Sequence, residues 1–203
     1  MNVIFATTNQ RKLEDLHQIV QDNKLDLNIL CLSDIGWDKG DIEENGSTLE
    51  ENSLIKAKAI FEFCKEKGLS YTILTDDAGL FVESLNGEPG IYTARYADDE
   101  LSLNPELPKY QCLYKLLRKL NGISNRNAYY KCVTTCMFPD GTYFQEFGKT
   151  DGSISDEIVE PIKRPYFYSL FTVDGIPFNS LKPNALKETY RYQALEKTLR
   201  KIK

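Results

Sequence analysis

Apolar and polar positions change period along the chain in a way that predicts alternating strands and helices. Asn2 to Ala6 reads as a buried first strand, and Thr7-Thr8-Asn9 leads into a helix whose Leu13, Leu16 and Val20 keep helical spacing, with Asn9 as the N-cap. Leu27 to Leu32 is a second strand, followed by an acid-rich loop over 33–46 that holds Trp37. Ser47 and Thr48 can cap the next helix, where Glu50 and Glu51 favour the dipole and Leu54, Ala57, Phe61 and Cys64 form an apolar stripe ending before Gly68. Tyr71 to Thr75 is a strand running to Asp76-Asp77, where a turn at Gly79 is expected before the short strand Leu80 to Val82. Leu113 to Leu120 sits in a helix, and Ala128 to Phe138 pairs with Thr142 to Phe147 as an antiparallel hairpin about Asp140-Gly141. An aromatic strand from Pro165 to Val173 and a closing helix from Pro183 to Ile202 complete the pattern.

Composition narrows the class. At 203 residues, 41% apolar and without repeats or low-complexity tracts, the chain is expected to form a single domain over 1–203 with an ample core. A net charge of −5 argues against a nucleic-acid partner, because neutralising a phosphate backbone needs a basic face. A small anionic substrate needs only a few local cations and a divalent metal to bridge it to carboxylates. The N-terminus enters a strand directly and no apolar run reaches spanning length, so no membrane association and a cytoplasmic location are expected. Five cysteines without a CxxC spacing and a single histidine, His17, argue for buried thiols over structural zinc.

The chemistry concentrates at Thr75-Asp76-Asp77-Ala78-Gly79-Leu80. Two acids at the end of a strand suggest a metal or proton-transfer site, although Asp-Asp before Gly also fits an ordinary exposed turn. Neighbours on an extended chain face opposite ways, so one carboxylate can aim at a ligand while the other braces the turn or binds through water. Arg11 and Lys12 beside the N-terminus of the first helix suit a phosphate or a solvated surface. Asn52 and Lys56, four apart, share one helix face.

Taken in order, these segments resemble the inosine triphosphate pyrophosphatase-like family of non-standard purine nucleoside triphosphate pyrophosphatases. The resemblance is carried by Ala6-Thr7-Thr8-Asn9-Gln10-Arg11-Lys12, by Glu43-Glu44-Asn45-Gly46-Ser47-Thr48 with Glu51-Asn52 and Lys56-Ala57, and by Asp76-Asp77-Ala78-Gly79-Leu80. Pro89-Gly90-Ile91-Tyr92-Thr93-Ala94-Arg95-Tyr96 and the later strands continue it. It implies a mixed α/β fold with a long curved central sheet, flanking helices and two lobes around a cleft. The implied reaction is hydrolysis of a nucleoside triphosphate to the monophosphate and pyrophosphate, with Mg²⁺, in a homodimer. By position match, Asp77 is the catalytic base, Glu43, Asp76 and Asp77 are metal ligands, and Thr7, Thr8, Asn9, Lys12, Asn52 and Lys56 bind phosphate. Phe167, Tyr168, Tyr190 and Arg191 fall at the base-recognition end. There the chain departs from the family: its Gly-Phe-Gly-Tyr/Trp-Asp-Pro is replaced by Arg164-Pro165-Tyr166-Phe167-Tyr168-Ser169, and its Ser-His-Arg by Thr189-Tyr190-Arg191. The same chemistry on another or modified nucleotide, or a catalytically weak nucleotide sensor, are the alternatives this leaves.

Overall fold

The computed structural model describes residues 1–99, 108–160, 166–181, 185 and 187–202. The strands are β1 Asn2–Phe5, β2 Asn28–Leu30, β3 Thr72–Val82, β4 Pro89–Gly90, β5 Asn127–Met137, β6 Tyr143–Ile154, β7 Phe171–Val173 and β8 Ile176–Pro177. The longer helices are α1 Gln10–Asp22, α2 Leu49–Glu66, α3 Pro108–Lys119 and α4 Tyr190–Lys201. They make a mixed α/β fold on an eight-stranded open sheet in the order β2-β1-β3-β5-β6-β7-β8, with β4 added to β3. β1 pairs in parallel with both β2 and β3. β5 and β6 run antiparallel: Phe138 N–H donates to Thr142 O at one end (2.8 Å), and Ile154 N–H to Arg126 O at the other (2.9 Å).

The chain divides into two compact units, one of residues 1–77, 132–148 and 190–203, the other of 78–131 and 149–189. In the first, the connection through α1 moves outward from β1 to β2, and the connection through α2 returns past β1 to β3. Right-handed crossovers running in opposite directions place their helices on opposite faces. The buried side chains agree. Val3, Phe5 and Leu74 pack with Leu16 and Ile19 of α1 and Leu195 and Leu199 of α4. Ile4 and Ile73, one residue out of step, pack with Ala57, Ile60 and Phe63 of α2. The strand period of two thus feeds two cores from one set of strands.

In the second unit, β7 pairs antiparallel with β6 and β8. Tyr130, Tyr168, Phe171 and Phe178 form an aromatic cluster, with Tyr168 and Phe178 centroids 4.4 Å apart.

Three sequence expectations need correction. β3 does not break after Asp77 but continues to Val82. Gly79 serves close packing instead of a turn, since a Cβ there would lie 2.3 Å from the carbonyl oxygen of Gly90 on β4. The aromatic strand shortens to Phe171–Val173, because Tyr166–Ser169 is a 3-10 turn closed by Leu170 N–H on Phe167 O (3.0 Å), while Pro165 lies outside the described residues. The closing helix begins at Tyr190 after a turn in which Glu188 N–H donates to Ala185 O (3.2 Å), and Pro183 also lies outside the described residues.

Candidate active site

The candidate residues of the first unit gather where the sheet order reverses, past the carboxyl end of β1 and beside Asp76 and Asp77 in the middle of β3. Open α/β sheets bind ligands at such a switch point, because helices leave on opposite faces and open a crevice. Thr7, Thr8 and Asn9 follow β1. Asn9 caps α1, its side chain accepting Arg11 N–H (3.0 Å) and Lys12 N–H (3.4 Å), while its own N–H donates to Thr7 Oγ1 (3.1 Å). The cap fixes the first turn of α1 and therefore the stem of Lys12.

Asp76 and Asp77 face opposite ways, as neighbours in a strand must. Asp76 points to the α1 and α4 side. Its side chain is 1% exposed and pairs with Lys12 Nζ (2.8 Å) and Arg191 Nε (3.3 Å). Burial pushes its pKa up, but Lys12, Arg191 and Lys56 outweigh that and hold the carboxyl well below the usual range. The thiol of Cys132 lies 3.9 Å from Asp76 Oδ2, and burial together with that carboxylate pushes its pKa up to about 12, so it stays protonated.

Asp77 points to the α2 side and is 15% exposed. Lys56 Nζ lies 3.8 Å from Asp77 Oδ1 and 3.3 Å from Glu44 Oε1. One ammonium is therefore shared by two carboxylates from separate segments. Beneath it, buried hydroxyls tie α2 to the sheet: Thr75 Oγ1 donates to Ser53 O (2.7 Å), Thr135 Oγ1 to Ser53 Oγ (2.8 Å) and Gln145 Nε2 to Thr135 Oγ1 (2.9 Å). This network fixes the register of α2 against β3, which sets how far Lys56 reaches.

A family model for the Ham1 family matches residues 3–200. The chain belongs to the Ham1 family. It is 36% identical to the dITP/XTP pyrophosphatase of Staphylococcus aureus (strain MRSA252) over 158 residues, 78% of this chain and 71% of that protein. It is 38% identical to the enzyme of the same name from Thermoanaerobacter pseudethanolicus (strain ATCC 33223 / 39E), covering 77% and 72%. Among solved structures, the Staphylococcus aureus Ham1 protein superposes with a TM-score of 0.80 at 30% identity over the whole of both chains. A HAM1 protein from Coxiella burnetii gives 0.81 at 26% identity, covering 100% of this chain and 98% of that one.

The Ham1 chain brings together Lys12, Lys56, Asp76, Asp77 and Arg191 of the residues read from sequence. Glu43 is exposed, and its neighbour Glu44 is the one that reaches Lys56. Asn52 is buried, its Oδ1 accepting Gly46 N–H (2.9 Å). Phe167 and Tyr168 lie in the second unit with little exposure, Phe167 edge-on to Tyr96 (6.0 Å) and Tyr168 inside the aromatic cluster. Tyr190 is buried in the first turn of α4, its ring 5.5 Å from the Arg191 guanidinium. The sequence leaves open whether Glu43 or Glu44 is the metal ligand, since the two differ only in facing, which a loop sequence does not encode. One neighbour of the site was missed from sequence. Asp15 lies on α1, where burial raises its pKa against the lowering by Arg191 and Arg11. Its spacing of three from Lys12 was the signal that could have found it.

Proposed function

We propose that the protein hydrolyses non-standard purine nucleoside triphosphates to the nucleoside monophosphate and pyrophosphate, with Mg²⁺ as cofactor. The observation that carries this is the shared ammonium: Lys56 holds Glu44 and Asp77 on one face of β3, while Asp76 fixes Lys12 and Arg191 on the other. Relatives named dITP/XTP pyrophosphatase support the reaction class. Among the described residues no group of three or more His, Cys, Asp or Glu could cage a metal. A pair of carboxylates fits Mg²⁺, which stays partly hydrated and takes its remaining ligands from substrate phosphates. Glu44 and Asp77 would hold it, and when bound it supplies charge neutralisation at the phosphate oxygens and a more acidic water.

The chain's own side chains do the rest. Asp77, the more open of the two aspartates, accepts the proton of the attacking water. Lys12 and Lys56 neutralise phosphate oxygens as charge spreads towards the departing pyrophosphate, and Thr7, Thr8 and Asn9 orient the phosphates from the β1–α1 turn. Asp76, already engaged by two cations, orients Lys12 and Arg191 and leaves the metal to Asp77. Arg191 offers donors to a base carbonyl. The burial of Phe167, Tyr168 and Tyr190 in packing favours a second reading, the same chemistry on a triphosphate carrying a different base. By the same family reading the protein is a cytoplasmic homodimer; among the described residues no helix is long and apolar enough to cross a membrane.

Pyrophosphate release from standard, deaminated and modified triphosphates, with Mg²⁺ and with chelator, tests the proposal. Mg²⁺-dependent release led by inosine or xanthosine triphosphate is expected. Release led by another triphosphate would shift the substrate, and no release from any would sink the reaction.

A further inference from the structure

We propose that Gly148 is a positioning residue for Arg191: the side chain it lacks lets the first turn of α4 settle on β6, and that seat brings the guanidinium to Asp76. Its functional meaning rests on the reading above that Arg191 offers donors to a base carbonyl. α4 runs along β6, over the face that Phe144, Glu146 and Gly148 share by strand alternation. At its last turn the Lys201 ammonium pairs with Glu146 and lies 5.7 Å from the centre of the Phe144 ring. Midway, Lys197 Nζ donates to Phe147 O (2.8 Å), and Thr198 Oγ1 meets Thr134 Oγ1 of β5 (2.6 Å). At the first turn the strand offers no side chain. A Cβ on Gly148 would lie 2.0 Å from Tyr190 O, 2.7 Å from Gln193 Cβ and 2.8 Å from Ala194 N. The backbone of Gly148 is outside the left-handed region, so close approach alone excludes a side chain here. Tyr190 thus rests on β6, whereas Asp76 lies on β3, with β5 between them. Two strand spacings are roughly 10 Å, which Arg191 crosses to bring its Nε within 3.3 Å of Asp76 Oδ2, the long end of a hydrogen bond. Cβ contacts under 3.0 Å are essentially never seen, so an alanine at 148 forces helix and strand apart by about 1 Å, the difference between 3.0 and 2.0 Å. A contact already at 3.3 Å has no slack for that displacement.

Two measurements test it. In a double-mutant cycle followed by thermal melting, Asp76→Asn is expected to lower the melting temperature roughly half as much in Gly148→Ala as in wild type, because Lys12 still stands beside Asp76 and Arg191 does not. Calorimetric titration then compares inosine monophosphate with inorganic pyrophosphate. Gly148→Ala is expected to weaken the monophosphate about 10–100-fold, the loss of one hydrogen bond from a charged donor, and to leave pyrophosphate within about twofold. In an Arg191→Ala background, Gly148→Ala adds nothing to that loss. Thr198→Val removes a buried hydroxyl from the same helix and is expected to lower the melting temperature while both ligands bind as in wild type, which sets a general loosening of α4 apart from its seat. Additive costs of Asp76→Asn and Gly148→Ala overturn the inference whatever Arg191 binds. So does wild-type monophosphate affinity in Gly148→Ala where Arg191→Ala loses it. Loss of inosine monophosphate binding in Thr198→Val also overturns it, and that result stands even if Gly148→Ala does not fold. Coupled costs in a protein whose Arg191→Ala variant binds inosine monophosphate like wild type keep the inference and sink only the base-reading role of Arg191.

Discussion

Replacing Asp76 with asparagine tests how the site is braced. The substitution keeps the shape but removes the charge that Lys12 and Arg191 share at 2.8 and 3.3 Å. At an effective dielectric of ~20 those separations correspond to gross attractions of about 6 and about 5 kcal/mol, most of which offsets desolvation of the three groups. Breaking a buried pair by removing one partner typically costs about 3–5 kcal/mol. Lys12 and Arg191 remain 22% and 14% exposed, so water partly solvates the stranded cations and the lower end applies, about 3 kcal/mol. For a domain of 203 residues, an unfolding entropy of about 2.1 cal/mol/K per residue turns that into a melting temperature lowered by about 7 °C. The pH dependence follows from the sign of the shift. The folded carboxyl is depressed below its ordinary 3.8, so its stabilisation is fully present above 3.8 and is lost as pH falls from there through the folded value. Differential scanning fluorimetry of both proteins should give a constant gap from pH 5 to 8 that closes below 3.8. A gap under about 2 °C, or one that changes between pH 5 and 8, would refute the reasoning.

Asp77→Asn is expected to lower kcat by about 10²–10⁴-fold with KM little changed, because it removes the proton acceptor and keeps the shape; unchanged turnover would dismiss Asp77 as the base. Glu44→Gln should raise the Mg²⁺ concentration for half-maximal rate by about tenfold or more, and by more than Glu43→Gln does, and the reverse order would return the metal to Glu43. Asp15 has a raised folded pKa, so the folded chain retains a proton between 3.8 and that value, and ionising Asp15 destabilises it fully only above both. Asp15→Asn should therefore be more stable than wild type at pH 7 and equal to it at pH 3.5 in urea titrations. A gain of the same size at both pH values would show that packing, not ionisation, is responsible.

What was legible in the sequence was local or motif-borne. Asn9 and Thr48 cap their helices as expected, since a cap depends on residues two or three positions away. The order of motifs identified the family without any coordinates. The misreadings have distant causes. Gly79 resembles a turn residue until Gly90, eleven positions later, brings its carbonyl against it. Tyr166 to Ser169 reads as strand by β-propensity, but the burial of Phe167 and Tyr168 is won within an aromatic cluster that a 3-10 turn serves as well. Ser53, Thr75 and Thr135 look like unremarkable small polar residues. Only their convergence from α2, β3 and β5 makes them a buried network.

The adjacency of Asp76 and Asp77 is itself informative. Two acids at positions i and i+2 would face the same helix layer and compete for the same cations. At i and i+1 the pleat separates them: α1 and α4 supply Lys12 and Arg191 to one, and α2 supplies Lys56 to the other. One carboxylate can then be neutralised by two short ion pairs, at 2.8 and 3.3 Å, and serve as a fixed anchor for those cations. Its neighbour stands 3.8 Å from Lys56, which it shares with Glu44. A charge shared between short ion pairs on Lys12 and Arg191 serves as a brace, whereas one set beside a second carboxylate across a shared ammonium is placed for a proton or a metal. The division of labour between brace and base thus follows from strand geometry and from the opposite faces taken by successive crossover helices. Neither residue could take over the other's role by a change of side chain alone.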